Sequence, residues 1–158
     1  MSEVERLKTI VEKLRSENGC PWDRAQTHST LKPACIEEAA EVVCGINILE
    51  ETGDAENLKE ELGDLLLQVM FHAVLAEEEG LFTFEDVAAA ISEKMVRRHP
   101  HVFEGVFYES KEVQMRAWEE IKKSEKSGKE WCASYLPEAF NEAEKLIQKA
   151  RERKGFTR

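Results

Sequence analysis

Apolar residues recur three and four positions apart along nearly the whole chain, and no run alternates with period two for long enough to suggest a sheet. Such a pattern can bury its hydrophobic surface only as helices packed on helices, so the chain is expected to be all-α. The punctuation agrees, since the 8 glycines and 4 prolines fall mostly at breaks between periodic segments. Val4, Leu7, Ile10, Val11 and Leu14 form one stripe on a first helix over residues 3–16, which stops near Asn18-Gly19. The aperiodic segment 20–28, with Pro21 and Trp22, reads as an ordered loop of the kind that can line a site. A second helix is expected from Ser29 or Thr30 to about Leu49, with Pro33 tolerated in its first turn. Asp54 is the expected N-cap of a third, which reaches Glu79. Residues 83–86 resemble a capping box and open a fourth helix that His99-Pro100 ends at Arg98. Weaker helices follow at 111–126 and 137–153. The expected architecture is an antiparallel bundle of four main helices plus C-terminal helices.

Charge narrows the function classes. With 22 Lys and Arg against 32 Asp and Glu, the net charge of −10 would repel a nucleic acid, whose binding needs many basic contacts. No apolar stretch approaches the roughly 20 residues of a membrane span, and residues 1–16 are charged rather than signal-like, so a cytoplasmic protein is expected. Cys20, Cys35, Cys44 and Cys132 form no CxxC pair and are expected to be reduced, mostly buried or incidental thiols.

The acids themselves are patterned. The second helix carries Glu37, Glu38 and Glu41, and the third carries Glu60, Glu61 and Asp64. Residues three or four apart share a helix face, so Glu38 with Glu41, and Glu61 with Asp64, each present paired oxygens. The 19 residues between Glu41 and Glu61 hold a helix end, a turn and a helix start, which lets the two acidic pairs face each other across an antiparallel hairpin. Converging carboxylates repel unless a cation joins them, and an all-oxygen set suits Mg²⁺. Spacing alone leaves open a solvated acidic flank, because ExxE and ExxD pairs such as Glu109–Glu112 arise by chance in so acidic a chain. A ferritin-like di-metal site is excluded by the histidines: the residues three before them are Ala25, Val69, Val96 and Arg98, never Glu.

The pattern EExxE, a gap of 19, then ExxD resembles the MazG family of all-α nucleoside triphosphate pyrophosphohydrolases. The likeness extends to Cys20-Pro21-Trp22-Asp23, Gln26-Thr27-His28, the run from Glu60 to Val69, and Arg97-Arg98-His99-Pro100-His101-Val102-Phe103, all similar to an N-terminal MazG domain. It covers about residues 4–126, which gives a MazG-like domain at 1–126 and a helical extension at 127–158, where Leu136-Pro137 to Gly155-Phe156 resembles the connector that leads into a second domain in two-domain members. The resemblance implies that Glu38, Glu41, Glu61 and Asp64 coordinate Mg²⁺, with Mn²⁺ as a substitute. It makes Glu37 a further ligand or the group that orients the attacking water. The implied reaction is hydrolysis of NTPs or dNTPs to monophosphate and pyrophosphate. The alternative is a non-catalytic helical dimerisation or regulatory domain left from a two-domain MazG protein.

Other residues have two readings each. Lys94, Arg97 and Arg98, at the end of the fourth helix, either complement its dipole or hold substrate phosphates, and the resemblance favours the second for Lys94 and Arg98. Trp22, Gln26 and His28 are candidates to contact the base by stacking and edge hydrogen bonds, and the other reading of Trp22 is a packing plug for the bundle end. Trp118 resembles a site-closing tryptophan of the family, although its spacing is that of an ordinary amphipathic anchor. His72, amid apolar residues, is expected in a hydrogen-bonded core role, and His99 and His101 as helix caps. A homodimer or a higher homo-oligomer is expected, since long amphipathic helices bury more surface in pairs.

Overall fold

A computed structural model describes residues 1–156, and every regular element in them is helical. In chain order these are α1 (Glu3–Arg15), α2 (Pro21–Arg24), α3 (Lys32–Thr52), α4 (Glu56–Glu78), α5 (Phe84–Arg98), α6 (Pro100–Phe103), α7 (Lys111–Glu125), a 3-10 segment (Glu130–Tyr135) and α8 (Leu136–Arg153). The all-α expectation holds, with no strand among the described residues. The last two positions of the expected 127–158 extension, Thr157 and Arg158, lie outside the described residues. The chain packs as two units, one formed by Met1–Phe84 with the segment from Asn141 onward, the other by Glu85–Phe140.

In the first unit α3 and α4 form a long helical hairpin. Gly53 ends α3 with φ 75°, a left-handed conformation that favours glycine, and its N–H donates to the Leu49 carbonyl at 2.9 Å. Further along the hairpin Gly45 is buried against α4, where an added Cβ would lie 2.8 Å from Leu58 Cα and 3.1 Å from its nitrogen. Only a residue without a side chain permits that approach. The core lies on the other side of α4, where Met70, Phe71, Val74 and Leu75 pack with Val11 of α1 and with Leu31. Arg15 then fixes the loop after α1: its guanidinium reaches both oxygens of Glu78 and donates to the carbonyls of Asp23 (2.6 Å) and Gln26 (3.2 Å).

Several boundaries differ from expectation, each for a local reason. The 20–28 loop contains a helical turn, α2, because Pro21 is preset for the first position of a helix. Helix α3 starts at Lys32 rather than at Ser29 or Thr30. Before it, Thr27 and Thr30 exchange side-chain to backbone bonds (2.8 and 3.2 Å) that compete with the helix ladder. Asp54 sits one residue outside the N-cap, which is Ala55, yet its carboxylate still accepts from the Glu56 N–H at 2.9 Å. Helix α5 ends at Arg98 as expected, with the His99 ring 2.7 Å from the Met95 carbonyl; Pro100 then opens a further turn, α6. The four cysteines are free, and Cys44 and Cys132 are exposed rather than buried.

His72 does take a hydrogen-bonded role. Its Nδ1 lies 2.7 Å from Nδ1 of His28, the rings stack at 5.0 Å, and its Nε2 lies 3.3 Å from Cys35 Sγ. Two facing Nδ1 atoms make one hydrogen bond only if one donates and the other accepts. Burial, and then charge on His28, hold the His72 imidazole below its ordinary value. A depressed histidine contributes stability that is complete above the unfolded value of about 6.5 and is lost as pH falls toward the folded one. Melting temperature is therefore expected to fall more between pH 7.5 and 5.5 in the parent chain than in His72→Asn. Parallel profiles would refute the assignment.

Candidate metal centre

Glu38 on α3 meets Glu61 and Asp64 on α4, the last two a turn apart on one face of their helix. One carboxylate oxygen from each lies within 4.8 Å of the other two. Gly45, two turns beyond Glu38, sets how closely the helices carrying them approach. Asn57, one turn before Glu61, donates from Nδ2 to Glu61 Oε1 at 3.1 Å, while its Oδ1 is buried without a hydrogen-bond partner among the described residues. Burial, then repulsion from Asp64, Glu37 and Glu61, push the Glu38 carboxyl above the usual carboxylate range. The donor set is entirely oxygen, negatively charged and contributed by two rigid helices. It fits a hard divalent cation, which would convert that mutual repulsion into attraction.

Glu37 and Glu41 turn elsewhere. Glu37 pairs with Arg153 and with Lys154, the latter at 3.0 Å, and Glu41 also pairs with Lys154. The hydrogen bond from Arg153 holds the Glu37 carboxyl below its ordinary range. Beside them a cavity of about 450 Å³ is lined by Glu41, Cys44, Glu61, Ile147, Lys154 and Phe156.

The remaining candidates divide between the units. In the first, Trp22 is 68% exposed on α2, so it plugs nothing. Gln26 serves its own loop, donating to the Trp22 carbonyl and accepting from Thr30, and His28 is engaged with His72. In the second unit Arg97 and Arg98 grip the two oxygens of Glu125 at 2.8 and 2.6 Å, which keeps that carboxyl low. Arg98 and Trp118 line one cavity of about 240 Å³ with Met95, His101 and Tyr108. Lys122 lies over the Trp118 ring at 4.0 Å. Lys94 and Arg97 are outside that lining.

Residues 26–103 match the MazG nucleotide pyrophosphohydrolase domain. The chain carries a MazG domain. The matched stretch contains all five acids of the motif together with Lys94, Arg97 and Arg98, and excludes Trp22, Trp118 and α8. Among similar proteins, the nucleoside triphosphate pyrophosphohydrolase/pyrophosphatase MazG of Thermotoga maritima is 51% identical over 79% of this chain and 46% of its own length. The nucleoside triphosphate pyrophosphohydrolase of Escherichia coli K12 is 47% identical over 82% of this chain and 48% of its own. YabN of Bacillus subtilis is 49% identical over 81% and 25%. The chain thus spans half or less of these curated relatives.

Three residues in contact with these acids were not singled out by pattern. Asn57 lies four residues before Glu61, a spacing that could have flagged it as a neighbour on the same face. Arg153 and Lys154 reach Glu37 from 116 and 117 residues away, and no local spacing encodes such a contact.

Proposed function

We propose that the chain is a Mg²⁺-dependent hydrolase of NTPs and dNTPs that releases nucleoside monophosphate and pyrophosphate, with Mn²⁺ able to replace Mg²⁺. The observation carrying this reading is the meeting of Glu38, Glu61 and Asp64 oxygens from two helices, which is electrostatically unfavourable without a cation. The activity named for the Thermotoga and Escherichia relatives points the same way. In this reading Glu38, Glu61 and Asp64 hold the ion and Glu41 joins them. The bound ion supplies positive charge against the negative charge that develops on the phosphoryl oxygens. Glu37 orients a water and takes its proton. The water oxygen bonds to the α-phosphorus, the bond from that phosphorus to the bridging oxygen breaks, and pyrophosphate leaves. We assign Trp22, Gln26 and His28, which lie in the same unit as the metal centre, to the nucleoside.

A panel of NTPs and dNTPs with Mg²⁺ is expected to give pyrophosphate and monophosphate in equal amounts, and none in EDTA. Orthophosphate as the product, or no turnover with any triphosphate, would overturn the proposal; the second result would favour a regulatory helical domain.

No helix among the described residues is long and apolar enough to cross a membrane. A triphosphate hydrolase acts where triphosphates are abundant, and we assign the chain to the cytoplasm. We further propose a homodimer. Val43 (56% exposed) and Ile46 on α3, with Leu62 (49%), Leu66 and Val69 on α4, leave apolar side chains in solvent at helical spacing, a surface suited to a second copy. Sedimentation equilibrium at micromolar concentration is expected to give twice the 18.1 kDa chain mass; a monomer there refutes this.

A further inference from the structure

The end of α8 sits on the acidic motif. Arg153 pairs with Glu37, and Lys154 with both Glu37 and Glu41. Earlier on the same helix Lys32 of α3 holds Glu142 at 3.0 Å, so α8 is tethered to α3 near its start as well as at its basic end. We propose that Arg153 and Lys154 form a counterion latch, which occupies Glu37 and Glu41 in the cation-free chain and must release them when a divalent cation enters the cluster. The inference rests on the metal-site reading above.

Three observations carry it. The basic pair and the cation would compete for the same carboxylates, because an ammonium on Glu41 and a divalent ion drawing on that carboxylate repel each other at close range. The Arg153 end of the contact can also swing clear into solvent, since that side chain is 64% exposed. Finally, α8 has somewhere to remain when the charges part. The Lys32–Glu142 pair still ties it to α3, and Ile147 and Phe156, 42% and 61% exposed, line the cavity beside Glu41 and Cys44. Metal occupancy and the placement of the C-terminal end of α8 are thereby coupled, and each changes the free energy of the other by the same amount.

The test is a Mn²⁺ titration of the full chain, with free Mn²⁺ read by electron paramagnetic resonance. It compares the parent with Arg153→Ala/Lys154→Ala and with Lys154→Met, which keeps the apolar stem. Lys149→Ala, exposed on the same helix, is the charge control. Removing both basic groups is expected to tighten Mn²⁺ binding about three- to tenfold, the scale of a few exposed ion pairs. Lys154→Met should give a smaller gain in the same direction, and Lys149→Ala less than either. In the parent, saturating Mn²⁺ is expected to speed tryptic cleavage after Arg153 and Lys154. Equal or weaker Mn²⁺ binding in the double variant, or cleavage indifferent to Mn²⁺, overturns the latch and leaves the metal site standing. Absence of Mn²⁺ binding in every chain overturns both.

Discussion

Glu61→Gln is expected to cut pyrophosphate release by at least about a hundredfold while leaving the metal-free chain no less stable. The magnitude follows from the role assigned to Glu61: loss of even an outer partner of a metal ligand typically costs ten- to a hundredfold, and a direct ligand should cost more. The sign of the stability effect follows from the cluster itself. Glu61 is one of the charges that push the Glu38 carboxyl up, so neutralising it relieves repulsion in the cation-free fold. A glutamine keeps the volume and can still bond Asn57, which holds the present side chain at 3.1 Å. Activity and stability are thus expected to move in opposite directions, which general damage to the fold would not produce. A variant that keeps more than a tenth of parental turnover would remove Glu61 from the metal site.

Gly45→Val is expected to lower the melting temperature by about 6–12 °C, the equivalent of roughly 3 kcal/mol for a chain of this size. The side chain would meet Leu58 backbone atoms at 2.8 and 3.1 Å, and backbone cannot rotate away as a side chain can. Helices α3 and α4 must separate or slide. Because Glu38 and Glu61 ride on those helices, Mn²⁺ affinity is expected to fall along with stability. Gly45→Ala should cost less, since alanine recovers about 1 kcal/mol of helix propensity that valine does not. Thermal denaturation by circular dichroism checks the order; a valine variant as stable as the parent would show that the hairpin is not closed at Gly45.

Much of the candidate site was legible because it is written at helical spacing. Glu61 and Asp64 share a face by periodicity alone, and a 19-residue gap containing one glycine-ended turn requires Glu38 to come back toward them. The fate of Glu37 and Glu41 was not legible. Their partners Arg153 and Lys154 arrive on a helix more than 110 residues later, and charge pairing carries no sequence periodicity. The Thr27–Thr30 exchange that delays α3 was missed for a related reason, since hydroxyl-bearing residues can serve either the helix or the turn before it.

Local chemistry therefore determined the helices, most of their ends and the acids that belong together, because hydrogen bonding within a helix and the position of a face depend on neighbours three and four residues away. Tertiary structure alone decided how near those helices come, through Gly45 against Leu58, and which acids meet between α3 and α4 and which are taken by the end of α8. Those choices turn on distances between elements remote in sequence, where packing volume and Coulomb energy act and periodicity says nothing.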